Sequence, residues 1–315
     1  MLIRFGLVAL RGVAVAFGVV VASFALILVI PGDPVSALLG SHVTPATAAA
    51  LREQLGLDHP WWVRLGDYLG HVVTGDLGTS LSFGSPVASL IAGRVWPTLL
   101  LVLCAMVLAI VTSLALAVAA VRWRNGPIDH LVRLLTTTGM AIPGFWLGML
   151  LILVFSVNLR WLPAGGVGED PGSFIASLVL PSIVAAVAIV PVLSRSLRSQ
   201  MIDLQDADFI VAARASGFSR RFVLWRRLVP NSLLPMLALA GTNFAVLLGG
   251  TFIVERVFSI NGVGSLLFDA ISARDAPLIQ GIVLITGLCV VVITTLTDLL
   301  ASIVDPRLRH ERNRA

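Results

Sequence analysis

The stretch Asp208–Pro235, DFIVAARASGFSRRFVLWRRLVPNSLLP, holds five arginines, one glycine and two prolines between long apolar runs. Its pattern is helix, hinge, helix. From Asp203 to Ser216, three acidic residues (Asp203, Asp206 and Asp208) lie toward the start and Arg214 toward the end, which suits the two poles of a helix. Gly217 stands where a left-handed cap closes such a helix at little steric cost. Ser219 is placed to cap a second short helix, which Pro230 is expected to stop. The first piece would be about 20 Å long at ~1.5 Å per residue, and the two together would form an angled knob. Phe209, Ile210, Ala213, Phe218, Phe222 and Trp225 give the knob apolar area, and Arg220, Arg221, Arg226 and Arg227 give it charge. Arginines alone would suit anionic lipid headgroups. The small-residue run Ala212-Ala213-x-Ala215-x-Gly217 also lets another backbone come close, which favours docking of a partner protein.

The surroundings explain where such a knob would stand. Of 315 residues, 57% are hydrophobic and 12% are charged. A soluble chain this apolar would expose large adhesive patches, so the bilayer is its solvent. Six runs approach the ~20 residues that cross a hydrocarbon core: Val13–Ile30, Thr98–Val121, Leu134–Val157, Phe174–Leu193, Leu233–Val254 and Leu278–Val304. Each must be helical, because in lipid a helix satisfies its own backbone. The first ends in VIPGDP without a small-residue cleavage pattern, so it is expected to stay as a span.

The organisation expected is therefore a cytoplasmic start (1–12), a first span (13–30), a long outer segment (31–97), a core (98–304) and a tail (305–315). The core includes the cytoplasmic loop 199–232. Arginine distribution sets the orientation. With both termini cytoplasmic, sixteen arginines fall inside and six outside: Arg52, Arg64, Arg94, Arg160, Arg256 and Arg274. In the outer segment, TPATAAALREQLG reads as a short helix, with Thr44 as cap, Pro45 in the first turn and Gly56 past the end. Trp61, Trp62 and Trp96 suit an interface, where an apolar ring with a polar edge is at home.

Several chemistries are excluded. All 22 basic residues are arginine, so a phosphate-cradling loop ending in Gly-Lys-Ser/Thr cannot exist in this chain. The five histidines (His42, His59, His71, His130 and His310) are scattered at or beyond the span ends, and no His-Glu-x-x-His helix occurs. Cys104 and Cys289 both lie in apolar runs and read as buried thiols rather than a disulfide framework. A proton-coupled carrier would place ionisable groups mid-membrane. Five of the six spans hold none, and Asp298 in the last lies near its cytoplasmic end. No paired nucleophile and base marks an intramembrane enzyme. An ATP-independent carrier or scaffold is the rival class.

AARASG followed by a second amphipathic helix resembles the cytoplasmic EAA loop of ABC-importer permeases. PGDP at Pro31–Pro34, LGLDHP at Leu55–Pro60 and GDLGTS at Gly75–Ser80 are similar to the outer loop of the dipeptide/oligopeptide/nickel permease family. So are IPGFWLG at Ile142–Gly148, GVGSLLFDAISARDAPLIQG at Gly262–Gly281 and DPRLR at Asp305–Arg309. In this order and on a six-span frame they are specific, and the long loop after the first span resembles the first, B-type permease of each pair. Val211 stands where the general motif often has glutamate, so a glutamate-dependent contact is not carried over.

The resemblance implies an all-α polytopic membrane protein of type I ABC-importer permease architecture, with six transmembrane helices and both termini cytoplasmic. It implies that Phe209, Ala212, Ala213, Arg214, Ala215, Gly217, Phe218, Arg221 and Phe222 couple to ATPase subunits, with Ala213 seated in the partner's groove. No cofactor is bound by this chain; ATP and Mg belong to two partner ATPase subunits. The other partners implied are a second, C-type permease, an extracytoplasmic substrate-binding protein and membrane lipid, with no nucleic acid. The fifth span's Thr242, Asn243, Gly249 and Gly250 are candidates for the substrate pathway, although small residues in spans also serve helix packing. Pro143, Pro181 and Pro191 are candidate kinks. Peptides are the cargo most often implied; nickel or another small solute stays open.

Overall fold

The computed structural model describes residues 2–29, 58–168 and 170–304. The expected helix Thr44–Gly56, PGDP, most of LGLDHP, the DPRLR tail and the side chain of Asp298 lie outside the described residues. The described residues form helices, joined by short turns: α1 (Leu2–Val29), α2 (Trp61–Thr74), α3 (Val87–Arg122), α4 (Pro127–Ala141), α5 (Gly144–Leu151), α6 (Pro171–Leu204), α7 (Asp208–Ala215), α8 (Arg220–Val223), α9 (Val229–Val257), α10 (Val263–Ser272) and α11 (Ala276–Val304). Four helices hold segments long and apolar enough to cross a membrane: Val87–Arg122, Pro171–Leu204, Pro235–Val257 and Ala276–Thr297. The bent pair Pro127–Ala141 and Gly144–Asn158 makes a fifth, taken as one span. Helix α1 has 28 residues, of which Leu10–Leu26 form its apolar stretch.

The span expected over Leu134–Val157 is broken at Pro143, one of the candidate kinks. Ile142 is extended (φ −81°, ψ 121°), as a residue before proline tends to be, and the two pieces meet at 103°. Beyond α5 the turns widen to a π-helix, Ile152–Asn158. A second difference concerns length. Helix α6 runs 34 residues, through Pro181 and Pro191. That is about 51 Å at ~1.5 Å per residue, well beyond the span expected at Phe174–Leu193. Asp170 starts it by accepting hydrogen bonds from the Gly172 and Ser173 amides, with Pro171 in the first turn. Helix α3 likewise begins at Val87, before the expected boundary at Pro97, and keeps Pro97 inside.

The chain divides into two compact units. One comprises Met1–Thr98 and Asn261–Val292. Its core is Val87, Ile91, Leu266, Leu278 and Ile282, all buried. In this unit Ser23 of α1 hydrogen-bonds the Tyr68 hydroxyl of α2 at 2.9 Å. The GDLGTS turn is folded by Gly75 and Gly78, both at positive φ, and by a single bridge between Thr79 and Pro86. Asp275 locks that turn down: its carboxylate, 1% exposed, accepts from Ser80 Oγ at 2.5 Å and from the Ser82 amide at 2.9 Å. Its other oxygen caps α11 through the Leu278 amide at 3.1 Å.

The other unit comprises Leu99–Ile260 and Ile293–Ala315. Helix α6 is its axis, packed against α4, α5 and α9. One buried cluster gathers Leu193, Leu197, Met201, Ile210, Val223, Leu228 and Met236. Another gathers Leu101, Leu180, Val184, Phe258 and Ile260. Gly165 lies so close to Phe258 that a β-carbon would stand 2.6 Å from its carbonyl oxygen, and the neighbouring Gly166 amide donates to that same oxygen at 2.9 Å. The loop 161–168 is thereby tied to the end of α9.

Candidate functional site

The knob is built on the extension of α6. After Leu204 the chain turns through Gln205–Ala207, with the Gln205 amide bonded to the Ile202 carbonyl at 3.1 Å and the Ala207 amide to the Leu204 carbonyl at 3.2 Å. Ala207 is extended and gives no side-chain cap, leaving Asp208 in the first turn of α7 to face the positive end of the helix. The helix has eight residues, Asp208–Ala215, or about 12 Å at ~1.5 Å each. The expected start at Asp203 is corrected, because Asp203 still belongs to α6 and the turn at Gln205–Ala207 breaks the run.

The hinge itself is a Schellman cap. Gly217 has φ +81°, its amide donates to the Arg214 carbonyl at 3.0 Å, and the Phe218 amide reaches back to the Ala213 carbonyl at 3.3 Å. Ser219 then caps the next turn, its Oγ accepting from the Phe222 amide at 3.3 Å. Pro230 does not stop the chain as expected. Residues Leu224–Leu228 widen into a π-turn, and α9 starts at Val229 with Pro230 in its first turn, where a missing amide hydrogen is harmless. The second arm is therefore continuous with the following span.

Side-chain placement separates two roles. Ile210 (0% exposed) and Ala213 (8%) point into the chain's own core beside Val223 and Leu228. Ala213, expected to seat in a partner's groove, instead lets α7 lie close on its own body. Phe209, Val211, Phe218, Phe222 and Trp225 are exposed, as are Ala212, Arg214, Ala215, Gly217, Arg220, Arg221, Arg226 and Arg227. Phe218 and Phe222 stack with ring centroids 4.7 Å apart and planes 16° from parallel. Beside them is an open surface depression lined by Ser219, Arg221, Phe222 and Trp225. Apolar and cationic groups on a capped double arm make a surface suited to a partner with apolar and acidic groups.

In the fifth expected span, Thr242, Gly249 and Gly250 fall on one exposed face of α9, together with Val246 and Ile253. A β-carbon at Gly249 or Gly250 would meet nothing within 4 Å. Asn243 is half-buried to one side of that face, and its Nδ2 donates to the Leu239 carbonyl at 2.8 Å. Among the described residues, no group of three or more His, Cys, Asp or Glu is placed to hold a metal ion.

Residues 109–310 match the family described as binding-protein-dependent transport system inner membrane component, and residues 2–100 match the N-terminal part of such membrane components. The chain belongs to that family. Among its relatives is the glutathione transport system permease protein GsiC of Salmonella typhimurium (strain LT2), 38% identical over 293 residues, 93% of this chain and 94% of the relative. Another is a putative peptide transport system permease protein of Brucella abortus (strain 2308), 36% identical over 304 residues, 96% of this chain and 97% of the relative. Among solved structures, the fold is similar to the inward-facing MetNI methionine ABC transporter, with a TM-score of 0.57 at 19% identity over 69% of this chain and 96% of that one. The architecture is that of a type I importer permease. The protein is thus a multi-pass inner-membrane permease subunit of an ABC importer, a transport component and not an enzyme.

Proposed function

We propose that this chain forms one half of the translocation pathway of an ATP-driven importer for di- or oligopeptides, and that the arm Asp208–Leu228 is where it receives force from an ATPase. The observation that carries this is the arm itself. Its inner face, Ile210, Ala213 and Val223, is fixed in the core, while Phe218, Phe222, Trp225 and five arginines stand free of the chain. A purely structural loop gains nothing from holding stacked phenylalanines in water. Two ATPase subunits, binding ATP and Mg, would close on each other and push the arms of this chain and of a second, C-type permease. Both termini lie in the cytoplasm in this arrangement, and an extracytoplasmic binding protein delivers the peptide. The exposed face of α9 carrying Thr242, Gly249 and Gly250, with Asn243 at its edge, would line the path between the two permeases.

Peptide cargo is supported by the names of the relatives, and uptake tests it. Inside-out controls aside, right-side-out vesicles holding the full complex and internal ATP should accumulate a labelled di- or tripeptide only when binding protein is added outside. Accumulation that survives ATP depletion and follows a proton gradient would contradict the proposal.

A further inference from the structure

Asp129 is a fully buried, multiply bonded carboxylate of the unit that bears the arm. It is 0% exposed, in the first turn of α4, and four donors converge on it. Arg198 of α6 grips it with two nitrogens, Nε at 2.9 Å from Oδ1 and Nη2 at 2.8 Å from Oδ2. Arg133, one turn further along α4, donates Nη2 at 2.7 Å, and the Asn125 amide donates at 3.1 Å. Asn125 sits at φ +61° in the turn between α3 and α4, a left-handed conformation that asparagine tolerates. One carboxylate therefore ties together the α3–α4 turn, the start of α4 and the extension of α6.

The position on α6 is the telling part. Arg198 lies under two turns before the helix ends at Leu204, directly ahead of the arm. A forked guanidinium on a carboxylate fixes angle as well as distance, which a lysine ammonium cannot do. Burial of the carboxylate keeps the pair from being replaced by water.

We propose that Arg198 and Asp129 are positioning residues for coupling: they form the joint through which movement of the arm, carried by α6, is passed to α4 and the α3–α4 turn. Arg133 shares the carboxylate but sits on the same helix as Asp129, so it carries no force between elements. This inference rests on the role proposed above for the arm.

The test uses the full complex with its ATPase subunits in proteoliposomes and reads ATP turnover with and without binding protein. The wild type tests the underlying proposal: it should hydrolyse ATP faster when binding protein is added. Arg198→Lys keeps the charge and loses the fork. It should leave turnover without binding protein within about two-fold, yet lower the stimulation by roughly five-fold or more, the scale of a typical coupling between sites. Arg133→Gln should keep both. Asp129→Asn is the harsher variant, and where it fails to assemble the Arg198→Lys and Arg133→Gln pair decides alone. Equal loss of stimulation in Arg198→Lys and Arg133→Gln, or full stimulation in Arg198→Lys, would overturn the joint. So would parallel loss of basal and stimulated turnover with a lowered melting temperature, which is what a merely structural pair would give.

Discussion

At Gly217 the backbone needs a left-handed residue, and space is not the constraint: an added β-carbon would meet nothing within 4 Å. The penalty for other residues is therefore conformational, about 1–2 kcal/mol for an ordinary L-residue. Gly217→Ala should weaken capture of the ATPase by about ten-fold, while Gly217→Asn, which tolerates that conformation, should recover most of it in a pull-down titration. Equal loss in both would mean that the cap does not set the arm's angle. Asp170 offers a pH test at the start of α6. The Ser173 hydroxyl on its carboxylate, helped by backbone amides, holds its pKa below the usual aspartate range. A depressed value means the cap stabilises the folded chain above the unfolded pKa and fades as pH falls through the folded one. The stability difference between wild type and Asp170→Ala should accordingly be present at neutral pH and shrink on acidification below that range. A difference that stays flat would remove the capping charge from the account. Gly217, Ser219 and the arginines were legible in sequence, because caps act over three or four residues. The grip of Arg198 on Asp129 was not, since 69 positions separate the partners.

Several contacts between elements turn on glycines and on the Asp275 carboxylate. Gly281 of α11 lies where a β-carbon would stand 2.5 Å from Val87 Cγ1, and Gly287 stands equally close to Val19 of α1. Branched valines cannot move aside, so Gly281→Val or Gly287→Val should cost about 1–3 kcal/mol by overpacking. Gly70 in α2 is exposed, with nothing near it, and Gly70→Ala should instead stabilise by about 0.5–1 kcal/mol. Thermal melts in detergent would show opposite shifts, and shifts of the same sign would contradict this packing. Breaking the Asp275 latch with Asp275→Ala leaves the buried Ser80 Oγ without its acceptor, at about 1–3 kcal/mol, and also removes the acceptor of the Ser82 amide. The apolar runs announced most of these helices but not their ends. Hydropathy follows the hydrocarbon slab, whereas α6 continues to Leu204 on tertiary packing around Leu197 and Met201. The bend falls at Pro143, a kink the sequence offered, but its angle of 103° and the π-turn before Pro230 arise from backbone geometry that apolar periodicity does not encode.

As a whole, the chain is a permease whose membrane helices extend into a capped, charged arm. The absence of lysine leaves it without a phosphate-binding loop of the Gly-Lys-Ser/Thr type, and the arm is the place proposed for an external motor to act. The exposed stack of Phe218 and Phe222 is the part of that arm with least to do in the isolated chain. The most direct measurement is therefore co-purification of ATPase subunits with tagged wild type and with Phe218→Asp, each drawn gently from native membranes. Because Phe218 is 48% exposed, the substitution should spare the fold. Wild type should bring down ATPase subunits with ATP turnover, and Phe218→Asp, at equal expression and equal melting temperature, should lose them. Wild type emerging without an ATPase, or Phe218→Asp retaining it in full, would contradict a role for the arm in docking the ATPase.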